Sequence, residues 1–407
     1  MWFLRYQVFQ NSVKTKKMRI SLLTDGLFPV SIGGMQKHST LLCRYLLGTG
    51  VEVDVYHPHE GYDKEELRSI LNIPEGDKLQ TFYAPFPSLS SLPGHYFLES
   101  YLHAKGITKE FLERIRESDL VYAQGFTAWA YLALRKKDLT LPPAIVNFHG
   151  LEMYQLAFGL KQKFIYQTYK PFVRENLLKA DYAQSLGGQL TGILKELGVA
   201  EHKILPLPIG IPKSWLLDEV KGANLKRKFV FVGRYERRKG TEELTAVLQE
   251  LIKEEFTFDF IGNIPEENRI DAPNITYWGM IKEEETIKRL LTEADVLVCP
   301  SYAEGMPTVI LEGMARGCAI IATDVGAVSE VVDQKVGWLI EAGEVAMLKN
   351  TLLEAIHLDK QTLLKKKQSA HKRIEEKFTW ENVIQKMIKR FEEILQTSPT
   401  PMANVSK

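Results

Sequence analysis

Two carboxylates eight positions apart, Glu304 and Glu312, bracket the run Glu304-Gly305-Met306-Pro307-Thr308-Val309-Ile310-Leu311-Glu312. Such a pair is common on any helix and means little alone. Its setting gives it weight, because an apolar run of strand length ends at Pro300-Ser301 just before it and Gly317 follows it. Pro307 suits a first helical turn, where its missing N–H would be unpaired anyway, and Gly317 suits the position just past a helix end. The pattern predicts a helix beginning just beyond Glu304, with the amides of Gly305, Met306, Thr308 and Val309 free to face a cleft. Free amides at the positive end of a helix dipole hold a phosphate or an anionic leaving group. Glu304 in the loop and Glu312 more than one turn into the helix reach a ligand at two depths. One depth suits a sugar and the other suits ribose hydroxyls, which carboxylates accept well.

A second stretch, Phe229-Val230-Phe231-Val232-Gly233-Arg234-Tyr235-Glu236-Arg237-Arg238-Lys239-Gly240, runs from a buried strand through Gly233 into a basic loop. A guanidinium fork binds phosphate oxygens in pairs and an ammonium adds a compact charge, so Arg234 and Lys239 make a plausible diphosphate clamp. A solvated loop is the plainer reading of Arg237-Arg238-Lys239. Gly33 and Gly34, between the first strand and a helix, let backbone approach a ligand closely, or simply make a tight turn. His149, in Asn147-Phe148-His149-Gly150, sits at the end of the fifth strand and hence at the cleft; a hydrogen-bonded strand-end histidine is the alternative. No Asp-x-Asp triplet occurs, and Gly33-Gly34 falls short of the G-x-G-x-x-G dinucleotide fingerprint.

These loops need strands and helices to aim them. Apolar runs alternate with helix-length segments almost from end to end, and the runs are continuous in Val, Ile and Leu, as strands covered on both faces require. Strands are expected at 19–24, 51–57, 79–84, 120–124, 144–148, 182–185 and 203–207, then at 229–233, 256–262, 275–278, 296–300, 319–323 and 338–340. The fold class is therefore α/β, with two Rossmann-like doubly wound domains facing an interdomain cleft. The domains are read as 18–208 and 209–379, joined through the proline-rich 206–212 and polar 221–228, after an extension of residues 1–17. A last helix, 380–396, follows Thr379 as a candidate cap.

At 407 residues the chain is long enough for two full cores. Lys plus Arg, 52, nearly cancels Asp plus Glu, 51, so no overall field favours nucleic acid and none is expected as a partner. Cys43, Cys299 and Cys318 lack ligand spacing and read as reduced structural thiols. The start is too interrupted for a secretory signal and no stretch has membrane-span length, so a cytoplasmic protein is expected. The segment 158–179 mixes lysines with Phe164, Ile165, Tyr169 and Phe172. It admits a membrane-surface element, an acceptor site, or an amphipathic helix packed on its own domain.

Taken together, the motifs resemble the retaining GT-B glycosyltransferases of family 4, over roughly residues 18–391. The most specific piece is Glu304…Glu312 with the run Ile321-Ala322-Thr323-Asp324-Val325-Gly326-Ala327-Val328-Ser329-Glu330 beyond it. The resemblance implies that Glu304 holds the donor sugar and Glu312 the ribose, with Arg234 and Lys239 on the diphosphate. It implies further that the Gly33-Gly34 loop faces the donor, that His149 lies beside the anomeric carbon, and that Ile281 grips the base through its backbone. The last helix would brace the N-terminal domain. Pro208-Ile209-Gly210-Ile211 departs from the family's Asn-Gly-Val/Ile-Asp hinge.

The expected activity is transfer of a sugar from a nucleotide-diphosphate donor to an acceptor hydroxyl with α-linkage, needing no cofactor or metal. The acceptor class implied is a glycolipid, polysaccharide or other cell-envelope glycan, with peripheral contact at the inner membrane face. A sugar-nucleotide epimerase, or a non-catalytic nucleotide-sugar-binding protein, fits the same fold and donor groups.

Overall fold

Each of the thirteen expected strands forms, with ends displaced by at most two residues. The computed structural model describes residues 18–73, 78–89 and 95–397; the expected extension 1–17 lies outside them. The first domain runs β1 (Arg19–Leu23), α1 (Gly34–Gly48), β2 (Glu52–His57), α2 (Lys64–Leu71), β3 (Leu79–Tyr83), α3 (His95–Leu112), β4 (Leu120–Gln124), α4 (Trp129–Arg135), β5 (Ala144–Asn147), α5 (Gly159–Lys179), β6 (Tyr182–Ser185), α6 (Gln189–Glu196) and β7 (Ile204–Pro206). The second runs β8 (Arg227–Val232), α7 (Thr241–Glu250), β9 (Phe256–Ile261), β10 (Ile275–Gly279), α8 (Glu284–Glu293), β11 (Val296–Cys299), α9 (Thr308–Ala315), β12 (Ala319–Thr323), β13 (Gly337–Ile340), α10 (Val345–His357) and α11 (Lys360–Arg373), and the chain ends its described part in α12 (Trp380–Thr397).

Both sheets are wholly parallel, in the orders β3-β2-β1-β4-β5-β6-β7 and β10-β9-β8-β11-β12-β13. Strand order reverses between β1 and β4 in one and between β8 and β11 in the other. In open α/β sheets the crevice at such a switch point, beyond the carboxyl ends of the strands, is where ligands bind. Buried Ile20, Leu22, Val53 and Val55 fill the first core, and Phe229, Phe231, Phe258 and Phe260 the second. All three cysteines are buried.

The chain passes between domains twice, and the two passages lie side by side. Ile211 N donates to Phe378 O at 2.9 Å and Trp380 N donates to Ile211 O at 2.9 Å. Backbone pairing thus secures the crossover where the Asn and Asp of the hinge motif are missing. From there α12 buries Trp380, Val383, Ile384, Met387, Phe391 and Ile394 against β1, β2 and α1, so the last helix does brace the N-terminal domain. The helical repeat brings Ile394 into this seam and leaves Leu395 half-buried. The segment 158–179 becomes α5, whose second half buries Val173 and Leu177 while Leu160 and Phe164 in its first half are 86% and 72% exposed. No helix among the described residues is long and apolar enough to cross a membrane.

Candidate functional site

Glu304 follows β11 by five residues and ends up buried at the cleft, where Lys239 Nζ lies 2.5 Å and Ser301 Oγ 2.7 Å from its Oε1. Helix α9 begins at Thr308, with Pro307 as its N-cap residue, one position earlier than a first-turn placement. The cap carries no side-chain oxygen, and the N–H groups of Gly305, Met306, Thr308 and Val309 find no protein acceptor among the described residues. Donors left open at a helix start are what an anion requires. The loop is braced from behind, where Ala327 N donates to Gly305 O at 2.8 Å. One face of α9 also carries Glu312 to the cleft, and there it meets Lys37 of α1 across the gap at 3.2 Å.

The basic loop after β8 is a single 3-10 turn, Arg237–Lys239, closed by Gly240 in the left-handed region at φ 66°. A Cβ on Gly240 would lie 2.0 Å from Pro300 O, so only glycine lets this turn nest against the end of β11. Successive residues of so tight a turn point in different directions. Lys239 turns inward to Glu304, Arg238 sits 3.9 Å from Glu304 Oε2 and 2.8 Å from Glu236, and Arg237 stacks on Phe158 and Tyr302. Arg234 behaves differently: its side chain is 74% exposed and pairs with Glu236 at 3.0 Å. The cations gathered at Glu304 are therefore Lys239 and Arg238, with Arg234 further out on the same loop. Gly233 directly follows β8, and Ile281, just past β10, packs half-buried on the second domain.

On the facing domain His149 closes the end of β5. Its Nε2 lies 2.7 Å from Gln124 Oε1, and Gln124 Nε2 reaches His38 Nδ1 at 3.0 Å. Burial pushes the His149 imidazole down to about 4, so the ring is neutral near pH 7. Gly33 caps α1, Gly34 faces open space, and Gln36 donates to Asp25 Oδ1 at 3.1 Å.

Asp25, at the carboxyl end of β1, escaped the sequence reading. Burial raises its carboxyl to about 6, only partly offset by the Gln36 hydrogen bond, and shifts of this size collect at functional sites. The folded state binds this proton more tightly than the unfolded chain, so Asp25 favours the fold below about pH 4 and loses that contribution as pH rises through 6. The shift from 3.8 to about 6 corresponds to at most about 3 kcal/mol. Asp25→Asn is expected to raise the melting temperature at pH 7.5 and to leave it nearly unchanged at pH 4. An equal shift at both pH values, in scanning calorimetry, would refute the assignment.

Several contacts hold the domains closed. Gln189 N donates to Gly326 O at 2.8 Å, Gly188 N to Glu330 Oε1 at 2.8 Å, and Arg238 faces Glu152 at 3.7 Å. Gln155, also unforeseen, bonds to both backbone atoms of Glu304.

Paired doubly wound domains, with open amides and cations on one side of the cleft and a neutral histidine on the other, define the GT-B class of nucleotide-sugar enzyme. Residues 32–214 match the model described as Glycosyltransferase Family 4, and residues 226–357 that described as Glycosyl transferases group 1. The chain is 25% identical over 306 residues to a protein assigned to teichuronic acid biosynthesis, glycosyltransferase TuaC of Bacillus subtilis (strain 168), spanning 73% of this chain and 75% of that one. Among solved structures, sucrose-phosphate synthase from Thermosynechococcus elongatus matches with a TM-score of 0.73 at 19% identity, over 94% of this chain and 100% of that one. Anabaena Alr3699/HepE in complex with UDP and glucose matches at 0.66 and 16% identity, over 92% and 100%. The chain is a GT-B glycosyltransferase.

Proposed function

We propose that this chain is a retaining, family 4 enzyme that transfers a sugar from a nucleoside-diphosphate donor to an acceptor hydroxyl, forming an α-linkage in a cell-envelope glycan. One observation carries this reading: the part-buried Lys239–Glu304 pair stands beside the open amides that start α9. As the C1–O bond to the leaving phosphate breaks, negative charge grows where Lys239, Arg238 and those amides lie, while exposed Arg234 on the same loop exchanges its Glu236 partner for the outer phosphate. Such groups act more strongly on the transition state than on the ground state, and they supply the positive charge without a metal. A phosphate oxygen takes the acceptor proton as the new C1–O bond forms on the same face. Glu304 holds sugar hydroxyls, Glu312 the ribose once Lys37 yields, and His149 lies beside the sugar as a neutral group; Gly33, Gly34 and Ile281 line the donor's path.

The TuaC relationship supports a polymer of the envelope as acceptor, and the Anabaena complex makes UDP-hexoses the first donors to try. Exposed Leu160, Phe164 and Ile165, with Lys161 and Lys163 between the first two, support contact with an anionic membrane face at the inner surface.

The test is a thermal-shift screen of nucleotide sugars, in which a donor at 100 times its Kd stabilises by about 2.7 kcal/mol. It is followed by transfer assays in EDTA, with the anomeric coupling of the product read by proton NMR and cosedimentation with anionic vesicles run alongside. A β-linked product would end the retaining assignment, and loss of transfer in EDTA would end metal independence. A new sugar nucleotide formed without acceptor would favour an epimerase, and donor binding without transfer a binding protein. Failure to sediment with the vesicles would remove the membrane contact.

A further inference from the structure

The loop from β5 to α5 holds two of the three non-glycine residues with left-handed backbone among those described, His149 at φ 56° and Leu151 at φ 47°. Each costs about 1–2 kcal/mol, and such conformations persist where the surroundings over-determine them. Their combined bend lays Gly150 against the donor loop, where a Cβ on Gly150 would stand 3.2 Å from Gly305 N. It also delivers the Gln155 carboxamide to Glu304 across the cleft. Nε2 donates to Glu304 O at 2.7 Å and to Gly150 O at 2.5 Å, while Oε1 accepts from Glu304 N at 3.2 Å. These partners fix the amide's orientation: flipped, its oxygen would face two carbonyl oxygens and its NH2 an N–H.

We infer that Gln155 is a positioning residue that fastens the Glu304 backbone across the closed cleft. It holds the carboxylate, and the amides of Gly305 and Met306 after it, in register with the facing domain. The inference rests on the reading of Glu304 as the donor-sugar contact. An ion pair such as Arg238–Glu152 at 3.7 Å still attracts when the gap widens, because Coulomb energy falls only as the inverse of distance. The Gln155 bonds do not survive such widening, since hydrogen bonds require short, aligned geometry. The side chain therefore reports closure directly to the group that grips the sugar.

Gln155→Glu keeps the length and removes the donor, setting a carboxylate against two carbonyl oxygens at pH 7.5; protonation restores one O–H donor. With a UDP-hexose that the screen identifies, kcat is expected to fall at least about tenfold at pH 7.5, as misplacement near a reacting centre does, with a smaller change in donor KM. The ratio of variant to wild-type kcat should recover as pH falls toward 5.5, whereas Gln155→Ala should show a similar loss with a pH-independent ratio. Spin labels on Leu139→Cys and Leu225→Cys, exposed in the two domains while the native cysteines are buried, read closure without turnover. A narrow distance distribution in the otherwise unaltered chain should become broader and longer with Gln155→Glu at pH 7.5 and narrow again at pH 5.5. This arm separates failure of the latch from failure of the transferase reading. Unchanged distances, kcat within twofold, or a pH-independent ratio in the Glu variant would overturn the inference.

Discussion

Lys239→Ala is expected to reduce turnover by at least tenfold and to lower thermal stability at the same time. Two roles meet in one ammonium. In the closed cleft it compensates the Glu304 carboxylate, with only 16% and 8% of the two side chains exposed. Removing one partner of a buried pair leaves an uncompensated charge at a cost of about 3 kcal/mol. On the proposed mechanism the same group faces the departing phosphate during transfer, and loss of one such electrostatic contact typically slows turnover by about 10² to 10³. Arg238, 3.9 Å from the other carboxylate oxygen, takes up part of both roles, which is why tenfold is the lower bound. The double variant Lys239→Ala with Glu304→Gln separates them. It removes the stranded charge, so melting temperature should return most of the way to the parent value while turnover stays below that of Glu304→Gln alone. Turnover equal to that of Glu304→Gln alone would mean that Lys239 acts only as a structural counter-ion.

The same loop shows what a sequence makes legible and what it withholds. Central strands could be placed because parallel strands buried on both faces are continuous apolar runs, as in β11 and β12, every residue of which is buried. Glu304, Lys239 and Gly240 were readable because glycine and proline punctuation locates strand-to-helix loops. Direction within a loop was not readable. In the turn Arg237–Lys239 three adjacent cations point to three different partners, and nothing in their spacing says that Arg238 approaches Glu304 while Arg234 pairs outward with Glu236. Gln155 and Asp25 were missed for a related reason. Gln155 acquires its role from left-handed backbone at His149 and at Leu151, the latter a residue type that rarely adopts it. Asp25 acquires its raised pKa from burial supplied by distant segments. The single signal available for Asp25 was its place at the end of the first strand, in the loop that leads to Gly33-Gly34.

Glu304→Gln is expected to lower kcat/KM for the cognate nucleotide sugar about a hundredfold while leaving the affinity for the bare nucleoside diphosphate within threefold of the parent. The two quantities part because the carboxylate and the phosphate contacts are different atoms of one site. A hydrogen bond to a charged group is worth about 1.5–3 kcal/mol, and a sugar that loses a charged acceptor loses that much in the complex leading to transfer. The nucleoside diphosphate carries no sugar. On the proposed reading its phosphates meet Lys239, the open amides before α9 and the arginines of the same loop, and the loss of the Glu304 charge releases Lys239 from its ion pair. The isosteric amide leaves Ser301 Oγ within reach and leaves untouched the backbone that Gln155 holds, so the loop keeps its shape. Calorimetry with UDP beside initial rates with the UDP-sugar separates the effects. If UDP affinity falls as far as kcat/KM, Glu304 serves to hold the phosphate loop in place, and recognition of the sugar must be sought on the His149 side of the cleft.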